Sequence, residues 1–190
     1  LVCEELKEQG FNAFVLQADV SKEEDCQRLI SETVTKFKVI DVLINNAGIS
    51  MRATLEQAEV SVIRQLMEIN FFGTVYCTKY ALPYLLKSKG SIVGVSSIAG
   101  YKGLPGRTGY SASKFAMHGF LEALRLENLQ KELHVLIACP GFTASNIRNS
   151  ALGSDCKIQG ESPRDEQKMM QPEEVAEFIL TAVLKRQNSI

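Results

Sequence analysis

The sequence is poor in the residues and spacings that build metal sites and disulfide frameworks. Only two of its 190 residues are histidine and five are cysteine, and no two cysteines are spaced C-x-x-C. An odd number of unpaired cysteines argues against a disulfide scaffold and a zinc site. We therefore predict no metal, and we expect the protein to work in the cytoplasm or another reducing compartment.

Long hydrophobic runs and an excess of charge are missing as well. No apolar run reaches the roughly 18 residues of a membrane span, and no signal peptide is present. A formal net charge of -1 gives no reason to expect nucleic acid as a partner. The chain starts at Leu1 inside a predicted helix, so an upstream membrane anchor remains an open alternative.

Hydrophobic residues make up 45% and charged residues 23% of the chain, which is typical of a globular protein. We predict one domain over residues 1–190. Apolar patterning predicts helices alternating with strands, and a capping box (S-K-E-E) opens the second helix. This alternation is typical of a Rossmann-like, doubly wound parallel sheet with helices on both faces. The predicted helices are 1–9, 21–37, 60–88, 111–130 and 172–187, and the predicted strands are 12–18, 41–45, 90–96 and 133–139.

Small, polar and turn-forming residues follow every predicted strand, where ligands bind in open α/β sheets. They are Asp19-Val20, Asn45-Asn46-Ala47-Gly48, Ser96-Ser97 and Pro140-Gly141. Strand ends often carry such residues for purely structural reasons, so each one alone is weak evidence. The long polar segment between Gly141 and Gln171 has no clear period and indicates a functional loop.

Tyr110 and Lys114 give a sharper signal. Four residues apart at the start of a helix, they project from one face as neighbours. A free tyrosine has a pKa of about 10, so a base active near neutrality needs about 4 kcal/mol of help. An ammonium about 4 Å away supplies roughly that much at an effective dielectric of about 20. Tyr110 is thus a candidate general acid/base, and Ser97 a candidate hydrogen-bond donor to a carbonyl oxygen.

The motifs N-N-A-G (45–48), Asn70, Ser97, Y-S-A-S-K (110–114) and P-G (140–141), in this order, resemble the short-chain dehydrogenase/reductase family. The resemblance points to its short, single-domain branch and runs over essentially the whole chain. It implies an NAD(P)(H)-dependent oxidoreductase of the carbonyl reductase type, which interconverts an alcohol and a carbonyl compound. Which of NAD(H) or NADP(H) it prefers is not readable.

The resemblance also implies roles for individual residues. Tyr110 would be the proton donor and acceptor, Lys114 would lower its pKa, Ser97 would polarise the carbonyl, and Asn70 would fix a bulge that supports proton relay. Tyr110 and Lys114 would also contact the cofactor. The other implied cofactor contacts are Asp19 and Val20 at the adenine, Asn45, Ala47 and Gly48 beneath the cofactor, and Pro140, Gly141, Thr143 and Ser145 near the nicotinamide.

The family's opening strand and glycine-rich turn (T-G-x-x-x-G-I-G) have no counterpart here. Gly100, Gly103, Gly106 and Gly109 lack the required spacing and context, and we interpret them as a flexible loop. We therefore expect a domain that lacks an N-terminal βαβ portion of about 30 residues, with bare apolar strand edges. We accordingly expect the natural protein to be longer than this chain.

We expect a small-molecule substrate, medium-sized and apolar. The residues expected around it are Ile49, Ser50, Met51, Leu104, Phe142, Ile147, Met169 and Met170. The resemblance further implies a homodimer or homotetramer formed through helices 60–88 and 111–130. Two alternatives remain: a non-catalytic binding or regulatory protein with the same fold, and a sugar-nucleotide epimerase or dehydratase of the extended branch.

Overall fold

A computed structural model describes residues 2–160 and 168–190 of the chain. Three parallel strands form one sheet in the order β1-β2-β3, with Ile44 paired to Val93 and Val93 paired to Leu136. The strands are β1 (Val42–Asn45), β2 (Ser91–Val95) and β3 (His134–Ala138). The helices are α1 (Val2–Glu8), α2 (Glu23–Phe37), α3 (Val60–Leu66), α4 (Gly73–Ser88), α5 (Thr108–Glu127) and α6 (Pro172–Leu184).

Helices cover both faces of this sheet, which confirms the predicted fold class. Alternate residues of a strand point to opposite faces. Ile92 of β2 packs in one cluster with buried residues of α4 and α5, whereas the neighbouring Val93 packs with Ala182 of α6. The carboxyl ends of the three strands therefore meet at one edge between the two helical layers.

The strand predicted at residues 12–18 is wrong. This segment has no regular secondary structure and no strand partner, and Val15 within it is 69% exposed. A parallel strand is defined by hydrogen bonds to a neighbour, and β1 has only β2 beside it among the described residues. Val42 and Ile44 of β1 are 42% and 52% exposed and lie on the same face of the sheet as Val93.

The start of the second predicted helix shifts. The helix α2 begins at Glu23 rather than at Ser21, because the Ser21 hydroxyl donates to Asp19 (2.7 Å) instead of capping the helix. The capping box is therefore wrong, and Ser21 belongs to a turn. A capping interaction the sequence analysis missed opens α6, where the Gln171 N–H donates to the Glu174 carboxylate (2.8 Å) just before Pro172.

The single helix predicted over residues 60–88 is interrupted. Residues Met67–Phe72 form a π-helical segment between α3 and α4. Pro83 lies inside α4, which continues through it without interruption. Such single-turn π segments are frequent at functional sites.

The C-terminal residues pair with the sheet. Residues 188–190 run parallel to β3, with Ile137 N–H donating to the Asn188 carbonyl (3.0 Å) and Cys139 N–H donating to the Ile190 carbonyl (2.8 Å).

Among the helices of residues 2–160 and 168–190, none combines the length and the hydropathy required to cross a membrane. Of the predicted polar segment 142–170, residues 161–167 lie outside the described part of the chain.

Candidate active site

A cleft of about 1260 Å³ opens at the carboxyl ends of the three strands. Three loops line it: the one after β1, the one between β2 and α5, and the one after β3. The cleft continues over Val42 and Ile44 of β1 to the apolar residues of α6, among them Val175 and Ile179. Of the residues predicted from the sequence, the cleft is lined by Gly48, Ser97, Tyr110, Lys114, Pro140, Gly141, Thr143 and Ser145. The structure thus brings together residues that are almost 100 positions apart in the chain.

Tyr110 and Lys114 occupy successive turns at the start of α5. Lys114 is 3% exposed, and its Nζ lies 5.8 Å from the centre of the Tyr110 ring. The Nζ donates to the carbonyl oxygen of Val95, the last residue of β2, at 2.9 Å. Burial lowers the pKa of Lys114 from 10.5 to about 8, so this group remains largely protonated at neutral pH.

Ser97 lies two residues after the end of β2. Its Oγ accepts from the Ala99 N–H (3.2 Å), which caps a short 3₁₀ turn at Ile98–Gly100 and orients the side chain. Ser97 and Tyr110 line the same cleft, and the Ser97 hydroxyl lowers the pKa of Tyr110. The cleft therefore presents two hydroxyl groups that belong to different parts of the chain.

The pKa of Tyr110 differs from the prediction. Burial raises it above the ordinary value of 10.0, and the Ser97 hydroxyl and the positive charge of Arg107 only partly oppose this rise. The lowering of this pKa by Lys114 stays a prediction, and in the described chain the Lys114 ammonium hydrogen-bonds the Val95 carbonyl. Tyr110 consequently keeps its proton at neutral pH.

Asn70 lies in the π-helical segment, fully buried, which matches the bulge expected around it. Its Oδ1 accepts from the Ile49 N–H (2.8 Å), and its Nδ2 donates to the Ile49 carbonyl (2.9 Å) and to Ser113 Oγ (3.0 Å). The side chain thus ties the loop after β1 to the helix that carries Tyr110. Because Asn70 holds the loop after β1 in place, this loop forms a fixed wall of the cleft, which we call its floor.

Two glycines on that floor have different surroundings. A Cβ on Gly48 would lie 3.2 Å from Asn70 Oδ1 and 3.7 Å from Lys114 Nζ, so glycine lets this loop pack closely against both side chains. A Cβ on Gly141 would meet no atom within 4 Å, so Gly141 borders open space in the cleft. The cofactor expected from the sequence would have room in this space beside the buried Lys114.

Four predicted cofactor contacts do not line the cleft: Asp19, Val20, Asn45 and Ala47. Asp19 accepts from the N–H and hydroxyl of Ser21 in the turn before α2. Asn45 is buried and its Nδ2 donates to Thr78 Oγ1 of α4 (3.2 Å). Asn45 therefore joins β1 to α4, rather than presenting its amide to the cleft.

Only half of the residues predicted to surround the substrate line the cleft. Ser50, Leu104, Phe142 and Ile147 line the cleft, whereas Ile49, Met51, Met169 and Met170 do not. Met51 is fully buried in a small core with Val62 and Leu66, so its role is packing. The sequence shows a run of apolar residues after N-N-A-G. It does not distinguish those that belong to the core from those that line the cleft.

Sequence reasoning missed two kinds of residue. Ser96 Oγ and His118 Nε2 are 2.6 Å apart, which fastens the end of β2 to α5 beside Ser97. Three arginines also line the cleft, at positions 52, 107 and 148. Arg107, three residues before Tyr110, was visible in the sequence, because a cation so close to a candidate acid/base affects its pKa.

A family comparison agrees with this geometry. The family model described as short chain dehydrogenase matches residues 1–154. The chain belongs to the short-chain dehydrogenase family.

Curated relatives of this short-chain dehydrogenase include an enzyme named 11-beta-hydroxysteroid dehydrogenase A from Arachis hypogaea. It is 43% identical over 156 residues, which cover 82% of this chain and 44% of the relative. Dehydrogenase/reductase SDR family member 7B from Mus musculus is 36% identical over 183 residues, covering 96% of this chain and 57% of the relative. The chain thus spans about half the length of the curated relatives it matches.

Solved structures share the fold. An alcohol dehydrogenase from Thermococcus sibiricus, complexed with 5-hydroxy-NADP, superimposes with a TM-score of 0.85 at 21% identity, covering 100% of this chain and 78% of the other. The NADH-dependent reductase A1-R′, responsible for alginate metabolism, gives 0.78 at 26% identity, covering 96% and 72%. The family is one of oxidoreductases that use nicotinamide cofactors on small molecules.

Proposed function

We propose that this short-chain dehydrogenase interconverts a secondary alcohol and a ketone with NAD(H) or NADP(H), using Tyr110 as general acid and base. One observation carries the proposal. Ser97 and Tyr110 line one cleft, where the Ser97 hydroxyl lowers the pKa of Tyr110 and the buried ammonium of Lys114 lies 5.8 Å from the centre of the Tyr110 ring.

The nicotinamide, when bound, supplies the hydride in reduction and accepts it in oxidation. In reduction, Tyr110 donates its phenolic proton to the carbonyl oxygen as that oxygen becomes negative. Ser97 donates a hydrogen bond to the same oxygen and stabilises the developing charge. In oxidation, the Tyr110 phenolate accepts the hydroxyl proton of the alcohol. The raised pKa of Tyr110 supports the reductive direction, since the donor is protonated at neutral pH.

Lys114 and Gly48 would hold the ribose next to the nicotinamide, and Pro140 and Gly141 would lie beside its ring. Thr143 and Ser145 line the same cleft and are the proposed contacts of the carboxamide. Asn70 acts as a positioning residue through its bonds to Ile49 and Ser113. The four predicted contacts that do not line the cleft are proposed only to contact the adenine-side part of the cofactor or to support residues that do. They are Asp19, Val20, Asn45 and Ala47.

The substrate body is proposed to be medium-sized and apolar. Leu104 and Phe142 line the cleft and are 37% and 55% exposed, so they offer apolar surface to a ligand. Burial of apolar area is the general source of affinity for such a body. The proposal of pairing through the long helices rests on exposed apolar residues there, Phe72 on the π segment and Phe115 and Leu126 on α5.

The experiment that tests the function is a titration with NADH and NADPH, followed by nicotinamide fluorescence, and then a ketone screen with whichever nucleotide binds. Wild type should bind and turn over. Lys114→Ala should bind the nucleotide more weakly. Tyr110→Phe should bind it yet lose at least about a hundredfold in turnover, the usual contribution of a general acid.

Tyr84→Phe is the matched control, because Tyr84 is a partly exposed tyrosine on α4 outside the cleft. It should bind and turn over like wild type. Nucleotide binding with no turnover of any ketone would instead favour a non-catalytic binding protein. Equal activity in Tyr110→Phe and wild type would overturn the proposed role of Tyr110.

A further inference from the structure

The two histidines of the chain each form a buried pair with a serine, at opposite ends of β2. His118 Nε2 lies 2.6 Å from Oγ of Ser96, the residue just past the end of β2. His134 Nδ1 lies 2.9 Å from Oγ of Ser91, the first residue of β2. The histidines are 8% and 4% exposed, so both pairs belong to the interior. Only the pair at the end of β2 adjoins the cleft, because Ser96 lines it and Ser91 does not.

The end of β2 is held by two successive turns of α5. Lys114 Nζ donates to the Val95 carbonyl at 2.9 Å. His118 lies four residues further along the helix, on the same face, and contacts Ser96. Two consecutive residues are thus each hydrogen-bonded to α5, and Ser97 is the next residue of the chain. The place of Ser97 in the cleft therefore depends on both contacts.

Other parts of the chain pack directly on the His118 imidazole. Cys139, the residue after β3, places its Sγ 3.6 Å from Nε2. The Tyr101 ring meets the imidazole edge-on, with 4.6 Å between the ring centres. A Cβ on Gly100 would lie 2.5 Å from Nε2, so glycine lets the loop after β2 approach the imidazole this closely. The imidazole therefore joins the ends of β2 and β3 and the loop after β2 to α5.

A hydrogen bond in this place restrains the chain more sharply than apolar packing would. Burial lowers the pKa of His118 below 6.5, so the ring is neutral at pH 7 and offers one donor and one acceptor nitrogen. A satisfied hydrogen bond between buried groups fixes the distance and the direction between them. Catalytic groups must be held within about 0.5 Å of their productive positions. The bond to Ser96 supplies such a restraint one residue before Ser97.

We propose that His118 is a positioning residue for Ser97. Through Ser96, it sets the place of the Ser97 hydroxyl in the cleft relative to Tyr110. This inference rests on the proposed function for the reaction in which Ser97 takes part. His118 does not line the cleft, in keeping with a role that acts through another residue.

The experiment compares the two histidine–serine pairs. His118→Leu and Ser96→Ala break the pair at the end of β2, whereas His134→Leu and Ser91→Ala break the pair at its start. For each variant, kcat is measured with the ketone that wild type turns over best. It is expressed per nucleotide-binding site counted by fluorescence, so that unfolded protein does not contribute.

His118→Leu should lose about tenfold or more in kcat, as expected when a catalytic group is displaced by a fraction of an ångström, while KM for the nucleotide changes little. Ser96→Ala should lose kcat in the same direction, and it serves in place of His118→Leu should that variant not fold. His134→Leu and Ser91→Ala should lose stability but keep kcat per binding site. His118→Gln should recover part of the lost kcat, because its amide also offers a donor and an acceptor.

A second measurement needs no substrate. The Ala99 N–H donates to Ser97 Oγ (3.2 Å), so hydrogen exchange of this amide, followed by NMR, reports whether the Ser97 side chain is held in place. After correction for the stability of each variant, the Ala99 amide should exchange faster in His118→Leu than in His134→Leu.

Two results would overturn the proposal. One is a kcat per binding site that is unchanged in His118→Leu, or that falls equally in His118→Leu and His134→Leu. The other is unchanged exchange of the Ala99 amide in His118→Leu. If wild type turns over no ketone, the proposed function fails, and the exchange of the Ala99 amide alone then decides whether His118 positions Ser97.

Discussion

The ammonium of Lys114 donates a 2.9 Å hydrogen bond to the carbonyl oxygen of Val95, across the junction between α5 and the end of β2. This bond fixes the ammonium but does not cancel the effect of burial, since the pKa of Lys114 still falls from 10.5 to about 8. Folding therefore opposes protonation of Lys114. The residue is retained at some expense in stability, which is typical of functional groups.

Lys114→Met should stabilise the fold at neutral pH. Between pH 8 and pH 10.5 the unfolded chain holds a proton that the folded chain releases, so this group makes stability rise with pH across that window. Below it, the full unfavourable contribution is present and amounts to at most about 3 kcal/mol. Denaturant unfolding at both ends of the window should show an advantage of Lys114→Met that disappears at the alkaline end.

The exposed Lys79 on α4 provides the control for this measurement. Lys79→Met should change stability by less than about 0.5 kcal/mol, as expected for a surface position. A Lys114→Met variant that is less stable than wild type at neutral pH would mean that the bond to Val95 outweighs the effect of burial.

Asn70→Ala should impair both the fold and the reaction. The substitution removes three hydrogen bonds and leaves the N–H and carbonyl of Ile49 unsatisfied in a partly buried place, which costs about 2–4 kcal/mol. Because the loop after β1 is then no longer tied to α5, kcat should fall more than nucleotide affinity. Urea unfolding and steady-state kinetics on one preparation measure the two effects.

Asn128→Ala is a matched comparison for Asn70→Ala. Asn128 is also a buried asparagine, and its Nδ2 donates to the Leu124 carbonyl at the far end of α5 (2.9 Å). It should lose about 1 kcal/mol of stability with kcat unchanged. If both variants lose kcat in proportion to stability, Asn70 has only a structural role.

Arg107→Gln should shift the pH dependence of alcohol oxidation. The positive charge of Arg107 lowers the pKa of Tyr110, so its removal raises that pKa further. Oxidation requires the Tyr110 phenolate, and the rising limb of kcat/KM should move to higher pH. Arg107→Lys, which keeps the charge, should retain most of the wild-type profile. An unshifted profile in Arg107→Gln would show that Arg107 does not act on Tyr110 during the reaction.

The sequence was sufficient to predict the parallel sheet and to single out Ser97, Tyr110 and Lys114, which the structure brings to one cleft. Ser97 and Tyr110 are set by local features, a strand end and a helix start, so their positions follow once those elements are recognised. The prediction of a strand at residues 12–18 was wrong because a strand also needs a partner strand, and the periodicity of one segment carries no information about a partner. The apolar residues of this segment look the same whether or not a neighbour is present.

The electrostatics of the site were less predictable than its composition. Spacing placed Lys114 beside Tyr110, but the direction of its hydrogen bond depends on Val95, 19 residues earlier in the chain. The three arginines that line the cleft, Arg52, Arg107 and Arg148, come from three loops that only the fold brings to one cleft. Long-range convergence of this kind leaves no periodic signal in a single sequence.

Two glycine substitutions should change stability in opposite directions. A Cβ on Gly90, just before β2, would lie 2.4 Å from the backbone carbonyl of Asp41, just before β1. Because that atom belongs to the backbone, Gly90→Ala must displace one strand start from the other. A loss of about 2 kcal/mol is expected, within the range for overpacked sites.

Gly119→Ala should stabilise the protein. Gly119 lies inside α5 with no atom near the position of an added Cβ, and it is exposed. Replacing glycine by alanine in an exposed helix interior gains about 1 kcal/mol, since alanine restricts the unfolded chain and favours the helix. Chemical denaturation of both variants beside wild type measures the two effects. Destabilisation by Gly119→Ala would mean that the exposed face of α5 is covered in solution, as expected if this helix pairs with a second copy of the chain.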